Sequence, residues 1–217
     1  MKRFIPLALL AAVLGIVGFA ALRPGSVTTQ ASAQTFTREA ITDDPIAPKF
    51  APKGYDVTIV EFADYNCPYC RRMHPTIAAL LASDPKIRIV YRDWPIFGGA
   101  SVEAARAAIA SQWQGKHEAF NAALYEGGGR IDSAAIRAAA KRAGVDWTRL
   151  QKDLVTHKAD IDGLLARTNV QAPALGLQGT PAFLVGPYLL PGAFDLPNLR
   201  KAVAKARAHP NGPPKAP

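Results

Sequence analysis

The segment from residue 100 to 178 contains no pattern typical of a β-strand, although strand patterns stand on both sides of it. Before it, the β-branched residues of 57–62 and the alternation of 87–91 predict two strands separated by a helix. After it, 181–190 predicts a hairpin and 196–208 a final helix. The intervening residues are alanine-rich and amphipathic, which predicts several helices. This order of elements favours an α/β fold in which a mixed sheet, covered by helices on both faces, carries an all-helical insertion.

The chain has two cysteines, Cys67 and Cys70, with two residues between them. Small exported proteins that rely on structural disulfides distribute their cysteines along the chain, whereas this pair can close only a very short loop. Such a bond adds little stability, which favours a disulfide that is made and broken during function. The pair follows the strand 57–62 and precedes a helical pattern. Cys67 is therefore predicted at the exposed start of the helix, with Pro68 in the first turn and Cys70 more buried one turn further in.

A cysteine at a helix N-terminus ionises more easily than a free one. The largest decreases in thiol pKa require roughly 7 kcal/mol, at about 1.36 kcal/mol per unit, whereas a helix dipole contributes about 0.3–2 kcal/mol. The dipole is therefore insufficient. Hydrogen bonds to the Cys67 sulfur are predicted to supply the rest, from the backbone N–H of Tyr69, the backbone N–H of Cys70 and the Cys70 thiol.

A Cys-x-x-Cys pair can also form half of a metal site, and His74 lies four residues after Cys70. A closed structural zinc site requires four ligands, and the chain has no second cysteine pair. We therefore interpret Cys67 and Cys70 as a redox pair. The alternative is a protein that binds copper or zinc through these cysteines and His74.

The formal net charge of +9 is concentrated at the two ends of the chain. Residues 1–33 contain Lys2, Arg3 and Arg23 without any acid, and residues 200–217 contain only basic charges. The part between them is close to neutral. This distribution excludes the broad basic surface on which nucleic-acid binding depends, so no nucleic-acid partner is expected.

The N-terminal segment has the pattern of an export signal, because the first two basic residues precede an uncharged stretch from 4 to 22. The stretch is also just long enough to span a bilayer. Both interpretations place the rest of the chain in the periplasm or otherwise outside the cytoplasm, either released or anchored to the inner membrane. The predicted segments are a signal peptide or N-terminal membrane anchor at 1–33, a linker at 34–56 and a flexible tail at 209–217.

Three short motifs carry a resemblance to a known family. Residues 60–70 read Val-Glu-Phe-Ala-Asp-Tyr-Asn-Cys-Pro-Tyr-Cys, residues 93–96 read Asp-Trp-Pro-Ile, and residues 179–181 read Gly-Thr-Pro. Together they resemble the DsbA family of periplasmic thiol–disulfide oxidoreductases. The resemblance implies a thioredoxin fold with an inserted all-helical domain: a DsbA-like thioredoxin domain over 57–208, with the insertion at about 100–178.

The same resemblance implies roles for residues outside the cysteine pair. Thr180 and Pro181 match the cis-proline loop that faces the cysteines in thioredoxin folds, where the Thr180 backbone can pair with an extended substrate. Glu61 matches the family's buried acid beneath the cysteines, which can relay the proton of Cys70. The implied catalytic residues are Cys67, Cys70, Glu61, Thr180 and Pro181.

The implied activity is exchange of disulfides with exported proteins that carry thiols or disulfides. A membrane redox partner would reset the cysteine pair, and no metal, nucleotide or organic cofactor is needed. Two positions depart from DsbA itself: Tyr69 replaces a histidine, and Thr180 precedes the cis-proline. Both are similar to the disulfide isomerases, so oxidase, isomerase and reductase all remain open.

Overall fold

A computed structural model describes residues 37–212. The predicted signal peptide or anchor at 1–33, and the predicted tail beyond residue 212, lie outside the described residues. The strands are β1 (Lys49–Phe50), β2 (Val57–Ala63), β3 (Ile87–Asp93), β4 (Ala182–Val185) and β5 (Tyr188–Pro191). The α-helices are α1 (Arg38–Thr42), α2 (Pro68–Ser83), α3 (Gly99–Ser111), α4 (His117–Glu126), α5 (Ser133–Arg142), α6 (Trp147–Thr156), α7 (Lys158–Ala174) and α8 (Leu196–Ala208). Within 37–212, no helix combines the length and the apolar character that crossing a bilayer requires.

The strands form one mixed sheet in the order β1-β3-β2-β4-β5. β2 and β3 are parallel, and each other neighbouring pair is antiparallel. The side chains of these two strands are buried almost throughout, because helices cover both faces of the sheet. The helix between them, α2, begins at the carboxyl end of β2, which is where open α/β sheets place their functional sites.

Each face of the sheet has its own hydrophobic core. On one face, α2 and α8 pack against β2, β3 and β4. On the other face lie the helices α3 to α7, which follow one another between β3 and β4. The predicted α/β fold with an all-helical insertion is therefore confirmed. The insertion packs as a second layer on the sheet, because its alanine-rich helices bury Phe120, Leu124 and Leu164 against their neighbours.

The predicted linker 34–56, in which the sequence indicates one short helix at 36–41, also contributes a strand to the sheet, which the sequence did not predict. This stretch forms α1 and β1, and β1 pairs with β3 at the edge of the sheet. Asp44 is buried and binds the guanidinium groups of Arg92, at 2.9 Å, and Arg167, at 2.8 Å. Although burial opposes it, the hydrogen bond from Arg167 holds the pKa of Asp44 below its usual value. Since Arg92 is fully buried, removing this carboxylate would leave a buried charge without its ion-pair partner.

Candidate active site

Cys67 is the N-cap residue of α2, and Pro68 is the first residue of the helix. The turn that carries Cys67 from β2 into α2 is held by Asp64. The Asp64 carboxylate accepts hydrogen bonds from the Asn66 N–H at 2.7 Å, the Phe97 N–H at 3.0 Å and the Ser101 hydroxyl at 2.7 Å. Asp64 was not predicted to have a role. The sequence did contain a signal for this role. Aspartate side chains in turns commonly accept a hydrogen bond from the backbone N–H two residues later, which here belongs to Asn66.

The two cysteines are not joined by a disulfide, and both are buried, each with 1% of its surface exposed. The prediction that Cys67 is exposed was therefore wrong. The loop before β4 lies against Cys67, and the Cys67 thiol donates to the backbone carbonyl of Thr180 at 3.2 Å. The two cysteines therefore do not differ in exposure. They differ in the pKa of their thiols.

The pKa of Cys67 is lowered to about 5. The largest cause is the hydrogen bond from the Cys70 thiol. Burial opposes the shift, and Thr180 and the backbone N–H groups of Cys70 and Tyr69 reinforce it. These include each of the donors predicted from the sequence. Burial and the neighbouring Cys67 sulfur raise the pKa of Cys70. At neutral pH the pair therefore consists of a thiolate at Cys67 and a protonated thiol at Cys70.

Thr180 contacts the pair through two groups. Its peptide bond to Pro181 is cis, as predicted, and its carbonyl accepts from Cys67. Its hydroxyl is buried and has no hydrogen-bond partner among the described residues while Cys67 is a thiol. The hydroxyl nevertheless contributes to the low pKa of Cys67. We infer that it donates to the sulfur once Cys67 has lost its proton.

Replacing Thr180 with valine should raise the pKa of Cys67 by about one to two pH units. A hydrogen bond to a charged group contributes about 1.5–3 kcal/mol, and one unit corresponds to about 1.36 kcal/mol. The measurement is the ultraviolet absorbance of the thiolate in the reduced protein as the pH is varied. Thr180→Ser keeps the hydroxyl and should stay near the original value. An unchanged pKa in Thr180→Val would show that the hydroxyl does not stabilise the thiolate.

Glu61 lies on β2, opposite Tyr91 of β3 and Phe183 of β4. It is 5% exposed, and burial raises its pKa to about 7. Tyr125 lies close enough to both Glu61 and Cys70 for their charges to affect its pKa. Glu61, Cys70 and Tyr125 therefore belong to one buried polar cluster. A carboxyl group that titrates near neutral pH can both accept and release a proton there.

A second buried acid, Asp93, belongs to the same cluster and was missed as a functional residue by the sequence analysis. It ends β3, where it is 5% exposed, and burial and the nearby Glu61 raise its pKa. The Tyr65 hydroxyl contacts the Asp93 carboxyl group and donates a hydrogen bond to the side-chain oxygen of Asn121 at 2.9 Å. The signal was present in the Asp-Trp-Pro-Ile motif, but only the parallel pairing of β2 with β3 brings Asp93 near Glu61.

His74 does not join the cysteines. Its ring stacks on Tyr125 with a centroid distance of 5.2 Å, and burial lowers its pKa. Across residues 37–212, no group of three or more histidine, cysteine, aspartate or glutamate side chains is arranged to hold a metal ion.

The fold and the cysteine pair at the start of α2 define a thioredoxin-fold domain with a dithiol site. The chain belongs to the DSBA-like thioredoxin domain family, whose profile matches residues 58–204. The resemblance inferred from the three motifs is therefore confirmed, as is the thioredoxin fold with its helical insertion.

Solved structures share this architecture. A thioredoxin-like oxidoreductase from Silicibacter pomeroyi is 41% identical, with a TM-score of 0.75, and the match covers 79% of this chain and 98% of that chain. The thiol-disulfide exchange protein α-DsbA2 from Wolbachia pipientis is 28% identical, with a TM-score of 0.73 and coverage of 77% and 90%. The catalytic domain of Proteus mirabilis ScsC is 27% identical, with a TM-score of 0.70 and coverage of 78% and 94%.

Curated relatives include much longer proteins. The chain spans about a quarter of the length of the sodium/proton antiporters that it matches. One of these, NhaA 1 of Salinispora arenicola, is 30% identical over 166 residues, which are 72% of this chain and 24% of the antiporter. A probable disulfide bond formation protein D from Bacillus cereus is 27% identical, and the match covers 69% of this chain and 73% of that protein.

Proposed function

We propose that this protein is an extracytoplasmic thiol–disulfide oxidoreductase that exchanges disulfides with protein substrates through Cys67 and Cys70. The observation that carries the proposal is the position of the cysteine pair at the start of α2, where the Cys67 sulfur lies 3.2 Å from the carbonyl oxygen of Thr180 in the cis-proline loop. Cys67 has a pKa of about 5, while the neighbouring Cys70 thiol keeps its proton and donates to it. A stabilised thiolate is a good leaving group, which is what a disulfide donor requires.

In the oxidising direction, a substrate thiolate attacks the Cys67 sulfur of the Cys67–Cys70 disulfide. The bond between the two cysteines breaks, and Cys70 leaves as a thiolate that takes up a proton because of its raised pKa. Glu61, which titrates near neutral pH, is the proposed source of that proton. A second substrate thiolate then attacks the substrate sulfur of the mixed disulfide, and Cys67 leaves as its thiolate. Two electrons pass from the substrate to the protein, and the substrate gains a disulfide.

The direct test is the reaction of the oxidised protein with a reduced dithiol peptide. We expect one peptide disulfide to form for each protein pair that is reduced, and equilibration with glutathione buffers to give a reduction potential above about −200 mV. DsbA lies near −120 mV and thioredoxin near −270 mV, so a value well below about −200 mV would indicate a reductase. Failure to exchange disulfides with the peptide in either direction would refute the proposal, and metal analysis of the purified protein tests the metal-binding alternative.

We also propose that the protein acts in the periplasm on exported proteins, and that a membrane redox partner resets its cysteine pair. The basic residues at positions 2 and 3, followed by the uncharged stretch 4–22, support export. A structural relative, 26% identical with a TM-score of 0.67, is a periplasmic thioredoxin-like protein from Salmonella enterica serovar Typhimurium; the match covers 78% of this chain and 95% of that one.

Alkaline phosphatase fused after residue 36 should be active in a bacterial host, because that reporter requires an extracytoplasmic location to form its disulfides. The mature N-terminus, measured by mass spectrometry, would then distinguish cleavage after Ala33 from a retained anchor. Activity of a reporter that folds only in the cytoplasm, fused at the same residue, would contradict export.

A further inference from the structure

An open groove of about 510 Å³ adjoins the cysteine pair at the start of α2. Pro68, which follows Cys67, lies on its border. Three arginines line the groove: Arg71 and Arg72 come from the first turns of α2, and Arg130 comes from the loop after α4. Phe97, from the loop before α3, adds an aromatic ring. We call this surface the arginine groove. Its volume lies within the range of about 300–1,000 Å³ that is usual for ligand sites.

The three arginines of the groove have no carboxylate partner among the described residues. Of the other described arginines, six form ion pairs (Arg88, Arg92, Arg106, Arg149, Arg167 and Arg207) and four do not (Arg38, Arg137, Arg142 and Arg200). The groove brings three unpaired arginines together in one pocket. The Nε of Arg71 is buried and lacks a hydrogen-bond partner within residues 37–212, and Arg72 stacks on the Tyr69 ring at 4.3 Å. The groove thus concentrates positive charge that the described fold leaves uncompensated.

The buried acid that holds the turn before α2 does not neutralise this charge. Asp64 is 1% exposed, and its carboxylate oxygens are occupied by the donors of Asn66, Phe97 and Ser101. The same hydrogen bond from Phe97 fixes the loop that forms one wall. Phe97 itself is 48% exposed, so the groove offers an apolar surface beside its three guanidinium groups. A matching ligand has carboxylates spaced among apolar atoms, as an acidic peptide has.

We propose that the arginine groove binds acidic side chains of the substrate polypeptide next to its reacting cysteine, so that the protein prefers cysteines flanked by aspartate or glutamate. The proposal rests on the proposed function, because the substrate sulfur must reach Cys67. An extended chain advances about 3.3–3.6 Å per residue, so the residues within a few positions of the substrate cysteine reach a groove that begins at Pro68. Guanidinium groups bind carboxylates through paired hydrogen bonds.

The test uses three peptides that share one sequence and contain one cysteine flanked by glutamate, glutamine or lysine. The rate of mixed-disulfide formation is measured with the disulfide-linked dimer of each peptide and the reduced Cys70→Ser protein, in which the adduct at Cys67 cannot be resolved, once with Arg130 intact and once with Arg130→Gln. Comparing the two proteins cancels the effect of the flanking residue on the peptide thiol itself. Arg130 is exposed and lies outside the helices, so its substitution removes a charge without disturbing α2.

We expect Arg130→Gln to reduce the rate with the glutamate peptide relative to the glutamine peptide by roughly threefold, as for an exposed charge pair. The rate with the lysine peptide should increase, and added salt should diminish both effects. The matched control is Arg200→Gln, which removes the same charge from α8, beside the opposite end of α2. This control should keep the preference of the original protein.

Two results would overturn the proposal in distinguishable ways. If all three peptides react and Arg130→Gln changes their rates equally, the groove does not select acidic substrates, and the thiol–disulfide function stands. If none of the three peptides forms a mixed disulfide, the proposed function fails, and the role of the groove fails with it.

Discussion

The Cys70→Ser variant is expected to accumulate mixed disulfides between Cys67 and substrate proteins that the original protein releases. In the reducing direction, Cys67 attacks a substrate disulfide and Cys70 must then attack Cys67 to release the substrate. Serine cannot complete that second step, but its hydroxyl can still donate to the Cys67 sulfur and preserve much of the low pKa. Gel electrophoresis without reductant should therefore reveal adducts that disappear when dithiothreitol is added.

Two further variants make this result specific. Cys67→Ser should form no adducts and exchange no disulfides, because the remaining thiol has a raised pKa and is buried. Cys70→Ala should raise the pKa of Cys67 above that of Cys70→Ser, because it removes the hydrogen bond that lowers that pKa most. Full turnover of a dithiol substrate by Cys70→Ser, or adducts at Cys70 in Cys67→Ser, would reverse the assigned roles.

The Glu61→Gln variant is expected to be more stable than the original protein above neutral pH. Burial raises the pKa of Glu61 from 4.5 to about 7 in the folded state, so between these values the folded protein holds a proton that the unfolded chain releases. The stability linked to that proton is present below pH 4.5 and is lost as the pH rises through 7. Glutamine does not ionise, so the variant avoids this loss.

The free energy of unfolding of Glu61→Gln should exceed that of the original protein by a margin that grows with pH, reaching roughly 3 kcal/mol in mild alkali at about 1.36 kcal/mol per unit. Urea unfolding of the oxidised proteins at several pH values measures it, because neither thiol then titrates. The control, Glu39→Gln, changes an exposed glutamate of α1 and should follow the original protein. A margin that does not change with pH would mean that Glu61 ionises as readily in the folded state as in the unfolded state.

If Glu61 supplies the proton that Cys70 takes up, the same variant should also exchange disulfides more slowly near neutral pH. Greater stability together with slower exchange would distinguish a proton donor from a merely structural acid. A gain in stability with a loss of activity is expected when a buried group that is needed for function is removed, because such a group lowers the stability of the fold.

The features that the sequence predicted correctly depend on neighbouring residues. The spacing of Cys67 and Cys70, with Pro68 between them, predicts a helix start, and the hydrogen bonds from Tyr69 and Cys70 follow from that local geometry. The β-branched residues of β2 and the alanine-rich helices of the insertion likewise carry their own patterns. Each of these properties is decided within a few residues along the chain.

Packing between distant segments decided the rest. Thr180 lies 113 residues from Cys67 along the chain, yet its carbonyl contacts the Cys67 sulfur. Cys67 is therefore buried, although the start of a helix would by itself leave it exposed. Asp93 becomes a partner of Glu61 only through strand pairing, and a two-residue strand such as β1 has too few residues to show any periodicity. Arg130 joins Arg71 and Arg72 only where the loop after α4 meets α2. The burial of a residue, the shift in its pKa and the charge of a surface depend on which groups are neighbours in space. They are therefore decided only when the chain has folded.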